Sequence, residues 1–209
     1  MGVVAKLHQK LLGHPFVYDT VRPFVLGGID YSRMYASLGA SEESVVLGLG
    51  CGTGNALEYL KQFTRYVGID TDEGAIVAAR GRYAARANVA FFSKFCTQAD
   101  IDAIRPTHVV LAGVLHHLDD EGVVSLLGLV SGSPALRRIG TLDIVYVKGM
   151  VVNNVLASLD RGRHCRKAER YRELAERSGL AVSDEYLMSN RPNGAGSVRY
   201  WVMMLERRR

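Results

Sequence analysis

Short unbroken apolar runs alternate along this chain with stretches in which apolar residues recur at helical spacing. Val45 to Gly54 reads VVLGLGCGTG, a β-branched run that stops abruptly at glycines, which is the pattern of a buried parallel strand entering a tight turn. NALEYLKQF after it has helical spacing. Tyr66 to Asp70 (YVGID) reads as a second strand, and Thr71 to Arg86 returns to helical spacing through Ile76, Val77 and Ala79. Further strands are expected near Val89 to Phe95, His108 to Gly113 and Leu142 to Val147. After the fourth strand, Asp119, Asp120 and Glu121 suit the positive start of a helix. In RKAERYRELAERSGL, Ala168, Tyr171, Leu174 and Ala175 make an apolar stripe, and Gly179 fits the stop. The interspersed charges of that helix, Arg166, Lys167, Arg170 and Arg172 beside Glu169, Glu173 and Glu176, predict a solvated face. Residues 181–188 and 197–206 read as two last strands around the turn RPNGAG. Val3 to Ala40, ahead of the first strand, reads as two or three short helices, with Pro15 and Pro23 at starts or kinks. Strands alternating with helices predict an α/β protein with a doubly wound, mostly parallel sheet.

The candidate chemistry sits where the first strand ends. Gly48, Gly50, Gly52 and Gly54 fall at every second position, with Leu49 and Cys51 between, so the backbone is open to close approach by a ligand. The following helix offers unpaired N–H groups to an anion. A dinucleotide fingerprint needs a third glycine three places after the second. Gly48 and Gly50 would require it at Thr53, and Gly50 and Gly52 at Asn55, so that fingerprint is absent. Asp70 closes the second strand about 20 residues beyond the turn, where a carboxylate is placed to accept two hydrogen bonds from a ribose diol, with Thr71 beside it. Cys96 and Thr97 occupy the end of the third strand, and Gly113 the end of the fourth, on the edge that holds ligands in such sheets.

Composition narrows the setting. With 209 residues, 48% hydrophobic and 22% charged, the chain suits one globular domain with a substantial core. No apolar stretch approaches the ~18 residues of a membrane span, and Lys6, His8, Lys10 and His14 break any secretory apolar core in Met1 to Phe16, so a cytoplasmic location is expected. Cys51, Cys96 and Cys165 lack CxxC spacing, which points to reduced thiols and to no zinc site or disulfide framework. The net charge of +5 is partly terminal, through Arg207, Arg208 and Arg209, and does not indicate a nucleic-acid partner.

In GLGCGTG at Gly48 to Gly54, GID at Gly68 to Asp70 and VLHHLDD at Val114 to Asp120, the chain resembles the class I S-adenosylmethionine-dependent methyltransferases, well over residues 40–150 and more loosely in the tail. The resemblance implies the Rossmann-like methyltransferase fold, a seven-stranded sheet parallel except for the strand that comes last in sequence. It implies a donor lying across the C-terminal strand edges, on Gly48, Leu49, Gly50, Cys51, Gly52, Gly54, Asp70, Thr71, Cys96, Thr97 and Gly113. Residues 1–40 then form a helical lid and 41–209 the donor-binding domain, within one compact unit. Gly48 stands where the family usually carries an acid that holds the donor's ammonium, so Asp19 or Tyr18 is expected to meet that group instead.

Tyr18 and Arg22, which share a helix face, and Asn153 and Asn154, beyond the fifth strand, are the candidate acceptor-binding residues. His116 and His117 are the catalytic candidates. Adjacent loop side chains diverge, so one of them, His117, is expected to face the methyl group as a general base, against the alternative of a hydrogen-bonded spacer. Ala112, Gly113, Val114 and Leu115 replace the proline-rich, aromatic-ending tetrapeptide of the branches that methylate amino groups of nucleic acids and protein glutamine. The expected acceptor is therefore an oxygen or nitrogen of a small molecule, with no metal required and the oligomeric state left open. Two alternatives stand beside this reading: a donor-binding module or partner subunit without its own turnover, and a nicotinamide oxidoreductase, which the glycine spacing opposes.

Overall fold

The computed structural model describes residues 29–160, 162–191 and 196–208. The elements in order are α1 (Ser32–Leu38), β1 (Val45–Leu49), α2 (Ala56–Tyr59), β2 (Arg65–Asp70), α3 (Glu73–Arg82), β3 (Val89–Ser93), α4 (Gln98–Ile104) and β4 (His108–Ala112). A single 3-10 turn, Leu115–His117, follows. Then come α5 (Asp120–Ser131), β5 (Arg138–Tyr146), α6 (Val151–Ser158), β6 (Arg166–Lys167), α7 (Ala168–Arg177), β7 (Leu180–Ser189) and β8 (Arg199–Arg207).

The sheet runs β3-β2-β1-β4-β5-β8-β7, with the two-residue β6 paired to β5 off this path. β1 to β5 pair in parallel, and β8 is antiparallel to both β5 and β7, so only the last strand in sequence runs against the rest. This is the expected doubly wound sheet, with a short eighth strand added.

Alternate strand residues feed two cores. Leu47, Leu49, Val67, Ile69, Val109 and Leu111 pack against Ile101 of α4, the apolar face of α5 and Tyr171, Leu174 and Ala175 of α7. On the other face Val46, Tyr66, Val110, Leu142 and Ile144 pack against Met34, Tyr35 and Leu38 of α1, with Leu57, Ile76 and Ala79. Residues two apart on a strand share a face. Gly48 and Gly68, which pair across β1 and β2, therefore lie on the Tyr66 side.

Several expected elements are shorter or longer than the sequence pattern indicated. The helix expected over 55–63 ends at Tyr59, because Leu60 turns extended (φ −75°, ψ 107°) and buries its side chain under the sheet. A four-residue helix offers no anion-binding N-terminus, which corrects that expectation. β5 begins at Arg138, four residues before the apolar run, because Arg138 to Thr141 complete the ladders to β4 and β8. The segment after β5 forms α6. Arg166 does not lie on a solvated face: it is buried, and it opens β6 ahead of the helix. Among the described residues, no helix is long and apolar enough to cross a membrane.

Candidate active site

In this strand order the chain direction of the connections reverses between β1 and β4, and ligands of open α/β sheets bind in the crevice at that point. A cavity of about 490 Å³ lies there, within the range of small-molecule sites. Its lining includes the turn after β1 from Gly48 to Thr53, Asp70 and Thr71 at the end of β2, and Gly113, Val114 and His117 after β4.

The turn is held open by backbone conformation. Gly50, Gly52 and Gly54 have φ of +62°, +51° and +82°, which residues with a Cβ adopt at a cost. A Cβ on Gly50 would stand 2.6 Å from Val114, so the turns after β1 and β4 approach each other over a bare backbone. The amides of Gly50 and Cys51 donate to the Ile69 carbonyl at 2.9 and 3.3 Å. The Gly52 amide donates to Asp70 Oδ2 at 2.8 Å, and the Asp72 amide to Asp70 Oδ1 at 2.9 Å. Asp70 thus ties the glycine turn to β2. Each carboxylate oxygen keeps a second acceptor position, so the group can still receive a diol from the cavity.

The two histidine rings lie side by side, with centroids 4.2 Å apart, rather than diverging as expected, and they differ in exposure. His117 is exposed and lines the cavity, whereas His116 is 1% exposed and points into the protein. His116 Nδ1 lies 2.8 Å from Asp143 Oδ1, which also accepts the His116 backbone amide at 3.1 Å, and Nε2 lies 3.2 Å from Asp160 Oδ1. Burial alone disfavours the imidazolium, but the two carboxylates outweigh it and hold the imidazole pKa up at about 9. His116 is therefore a buried cation at neutral pH and does not face the cavity, which corrects its assignment as a catalytic candidate.

Two further residues fix the same turn. Gly162 packs so closely over the ring that a Cβ there would lie 1.9 Å from His116 Cδ2. Arg166 donates to the carbonyls of Leu115, Leu118 and His164 at 3.0, 2.7 and 2.7 Å and to Asp120 at 2.8 Å. The turn that presents His117 is therefore clamped from behind. Among the described residues, His116, His117 and Asp160 also bring potential ligand atoms within 4.8 Å of one another, a grouping that no sequence spacing announces.

Other candidates stand elsewhere. Gly54 does not line the cavity; its Cα faces the Tyr83 and Phe91 rings. Thr97 caps α4 in a reciprocal capping box with Asp100, and Cys96 beside it is likewise outside the lining. Asn153 is buried, donating to the Val145 carbonyl at 2.8 Å and accepting from the Arg199 amide at 2.7 Å. Asn154 bridges the amide and carbonyl of Val147, each at 2.9 Å. These bonds fasten α6 to the end of β5, so neither asparagine reaches the cavity. Tyr18, Asp19 and Arg22 lie outside the described residues. Burial pushes the thiols of Cys51 and Cys165 up to about 12 and that of Cys96 to about 11, which excludes a thiolate nucleophile at neutral pH.

Three groups of residues in and behind the cavity carried no marked sequence signal. Tyr31, Tyr35 and Tyr59 form an aromatic wall, with Tyr35 and Tyr59 stacked at 5.5 Å. Tyr66 lines the cavity from beneath the glycine turn. Asp143, a lone acid within the apolar run of β5, stands behind His116.

Fold and cavity define an α/β protein with an open cavity at the switch point of its sheet. Residues 46–131 match the family model described as a methyltransferase domain, a family whose methyl donor is S-adenosylmethionine. Solved structures show the same fold. A chain from a complex containing the Haloferax volcanii Trm112 methyltransferase activator is 15% identical, with TM-score 0.67 over 86% of this chain and 90% of that one. Magnesium protoporphyrin IX methyltransferase from Synechocystis PCC 6803, with bound SAH, is 18% identical, with TM-score 0.62 over 100% and 88%. The cyclopropane synthase MmaA2 from Mycobacterium tuberculosis is 10% identical, with TM-score 0.65 over 84% and 82%. A search of curated protein sequences finds no match.

Proposed function

We propose that this protein is an enzyme that transfers a methyl group from S-adenosylmethionine to an oxygen or nitrogen of a small-molecule acceptor, with His117 as general base. The observation that carries this reading is that one cavity joins the open glycine turn, the Asp70 carboxylate and the exposed His117 ring. Asp70 suits the ribose hydroxyls, the bare backbone of residues 48–52 suits the nucleoside, and Thr71 and Gly113 complete that part of the lining. When bound, the donor supplies a sulfonium methyl group open to in-line displacement. The chain's own contribution is then to orient the acceptor atom, exclude water and take its proton at the His117 imidazole.

Residues 1–40 are assigned to a lid that closes on the acceptor, with Tyr18 and Arg22 as acceptor contacts, and the free cysteines suit the reducing cytoplasm. The test is mass spectrometry of ligands that co-purify with the protein, followed by methyl transfer assays on acceptors of the class so identified. Donor-dependent methylation of a small molecule supports the reading. Donor binding without transfer to any acceptor supports the alternative, a donor-binding subunit without its own turnover.

A further inference from the structure

We propose that the amino-acid end of the donor is received by the Tyr66 hydroxyl, which stands where a side chain of residue 48 would begin. This inference rests on the donor reading given above. A Cβ built on Gly48 would lie 2.3 Å from Tyr66 Oη and 3.1 Å from Cζ. The tip of the Tyr66 ring therefore occupies the space of the missing side chain and puts an oxygen there. Gly68 makes the same accommodation from β2: a Cβ on it would meet Phe91 at 2.5 Å and Cys51 Sγ at 2.8 Å. The two facing glycines hollow out this face of the sheet, and Tyr66, Cys51 and Phe91 fill it.

The hydroxyl is then left without a partner. Tyr66 is fully buried, and its Oη makes no hydrogen bond, although the residue lines the cavity. A buried hydroxyl in that state costs free energy, and a ligand that supplies a partner recovers it. Burial holds the phenol neutral, so it presents one acceptor and one donor. An α-ammonium donates to the first, and the neighbouring carboxylate accepts from the second.

The charge distribution around the cavity argues the same way. Among the described lining residues the carboxylates are Asp70 and Asp72, both at the end of β2. Asp70 is tied to two backbone amides, and Asp72 caps α3 by accepting from the Ala75 amide at 3.0 Å. The remaining wall toward α1 offers the faces of Tyr31, Tyr35 and Tyr59, which attract a cation through their π electrons. Among the described residues, ammonium recognition at this site is thus by a phenol and aromatic faces.

The experiment is calorimetric titration of the full chain and of Tyr66→Phe with three probes: S-adenosylmethionine, S-adenosylhomocysteine, and 5′-methylthioadenosine, which lacks the amino-acid group. Tyr66→Phe should weaken the first two by about tenfold, as expected for a lost hydrogen bond to a charged group, and leave 5′-methylthioadenosine within about twofold. The unliganded variant should melt at the same temperature or higher, because the deleted hydroxyl has no partner in the free protein. Unchanged affinity for S-adenosylmethionine, or equal weakening of all three probes, overturns the assignment of Tyr66 alone. A lower melting temperature of the unliganded variant also overturns it, since the hydroxyl would then have a structural partner. Wild-type protein that binds none of the three probes removes this assignment together with the methyl-transfer reading.

Discussion

Asp143 Oδ1 accepts both the ring Nδ1 proton of His116, at 2.8 Å, and the backbone amide of the same residue, at 3.1 Å. One carboxylate in the middle of the sheet thereby fixes the position and the charge of the turn that carries His117. Replacing Asp143 by Asn keeps an acceptor for the amide but leaves the buried imidazolium short of a counter-charge. Breaking a buried pair from one side costs about 3–5 kcal/mol. Urea denaturation of Asp143→Asn at pH 7 should show a loss of that order.

The same pair sets a pH dependence. His116 has its pKa raised from 6.5 to about 9 in the folded protein, so the stability it contributes is complete below 6.5 and is lost as the pH rises through 9. Thermal unfolding followed from pH 6 to pH 10 should show the wild type losing stability across that window. A His116→Gln variant should be less stable at pH 6 and flatter over the same range.

Asp70 ties down the turn, and the proposed function gives it a second task toward the ligand. Asp70→Ala removes the acceptor for Gly52 and Asp72 and the carboxylate for the ribose, and charge-assisted bonds contribute about 1.5–3 kcal/mol each. Binding of S-adenosylmethionine should weaken by about tenfold or more by calorimetry. 5′-Methylthioadenosine should weaken equally, because it carries the same ribose.

Glycine replacements separate turn from helix. Gly54 has φ +82°, and a Cβ on it would lie 2.8 Å from Tyr83 and 2.9 Å from Phe91. Gly54→Ala should cost about 1–2 kcal/mol for the left-handed backbone and about 1–3 kcal/mol for overpacking. Gly128, inside α5, has nothing within 4 Å of an added Cβ, and Gly128→Ala should stabilise by about 0.5–1 kcal/mol. Melting temperatures should move in opposite directions.

His117→Ala should lower turnover by about 10²- to 10⁴-fold once an acceptor is in hand, with donor affinity nearly unchanged. Turnover within a few-fold of wild type would leave positioning alone to explain catalysis. Calorimetry with S-adenosylmethionine on the same variant checks that the donor site is intact.

Most of the fold was legible in one dimension. Apolar β-branched runs mark parallel strands buried on both faces, and Val45–Leu49, Arg65–Asp70 and His108–Ala112 lie where that pattern predicts. Local chemistry was also readable: Asp119 accepts from the Gly122 amide as the cap of α5, and Gly179 ends α7 with φ +78°. These features depend on neighbours within a few residues, and short-range sterics and hydrogen bonding settle them.

What only the tertiary structure decided depends on residues far apart in the chain. The sequence places His116 and His117 side by side but does not show what separates them; Asp143, 27 residues after His116, captures its ring, while His117 stays exposed. Asn153 and Asn154 look like pocket residues because they are polar among apolar neighbours. Their amides were needed instead to satisfy the backbone at the end of β5. Gly48 reads in isolation as an open position in a glycine turn. Its meaning comes from Tyr66 on the adjacent strand, whose hydroxyl fills the volume that the glycine leaves, and only the register that sets Val46 opposite Tyr66 and Gly48 opposite Gly68 brings ring and gap together. Close packing makes each buried volume and each buried polar atom depend on its partners across the sheet, and those partners are chosen by the fold.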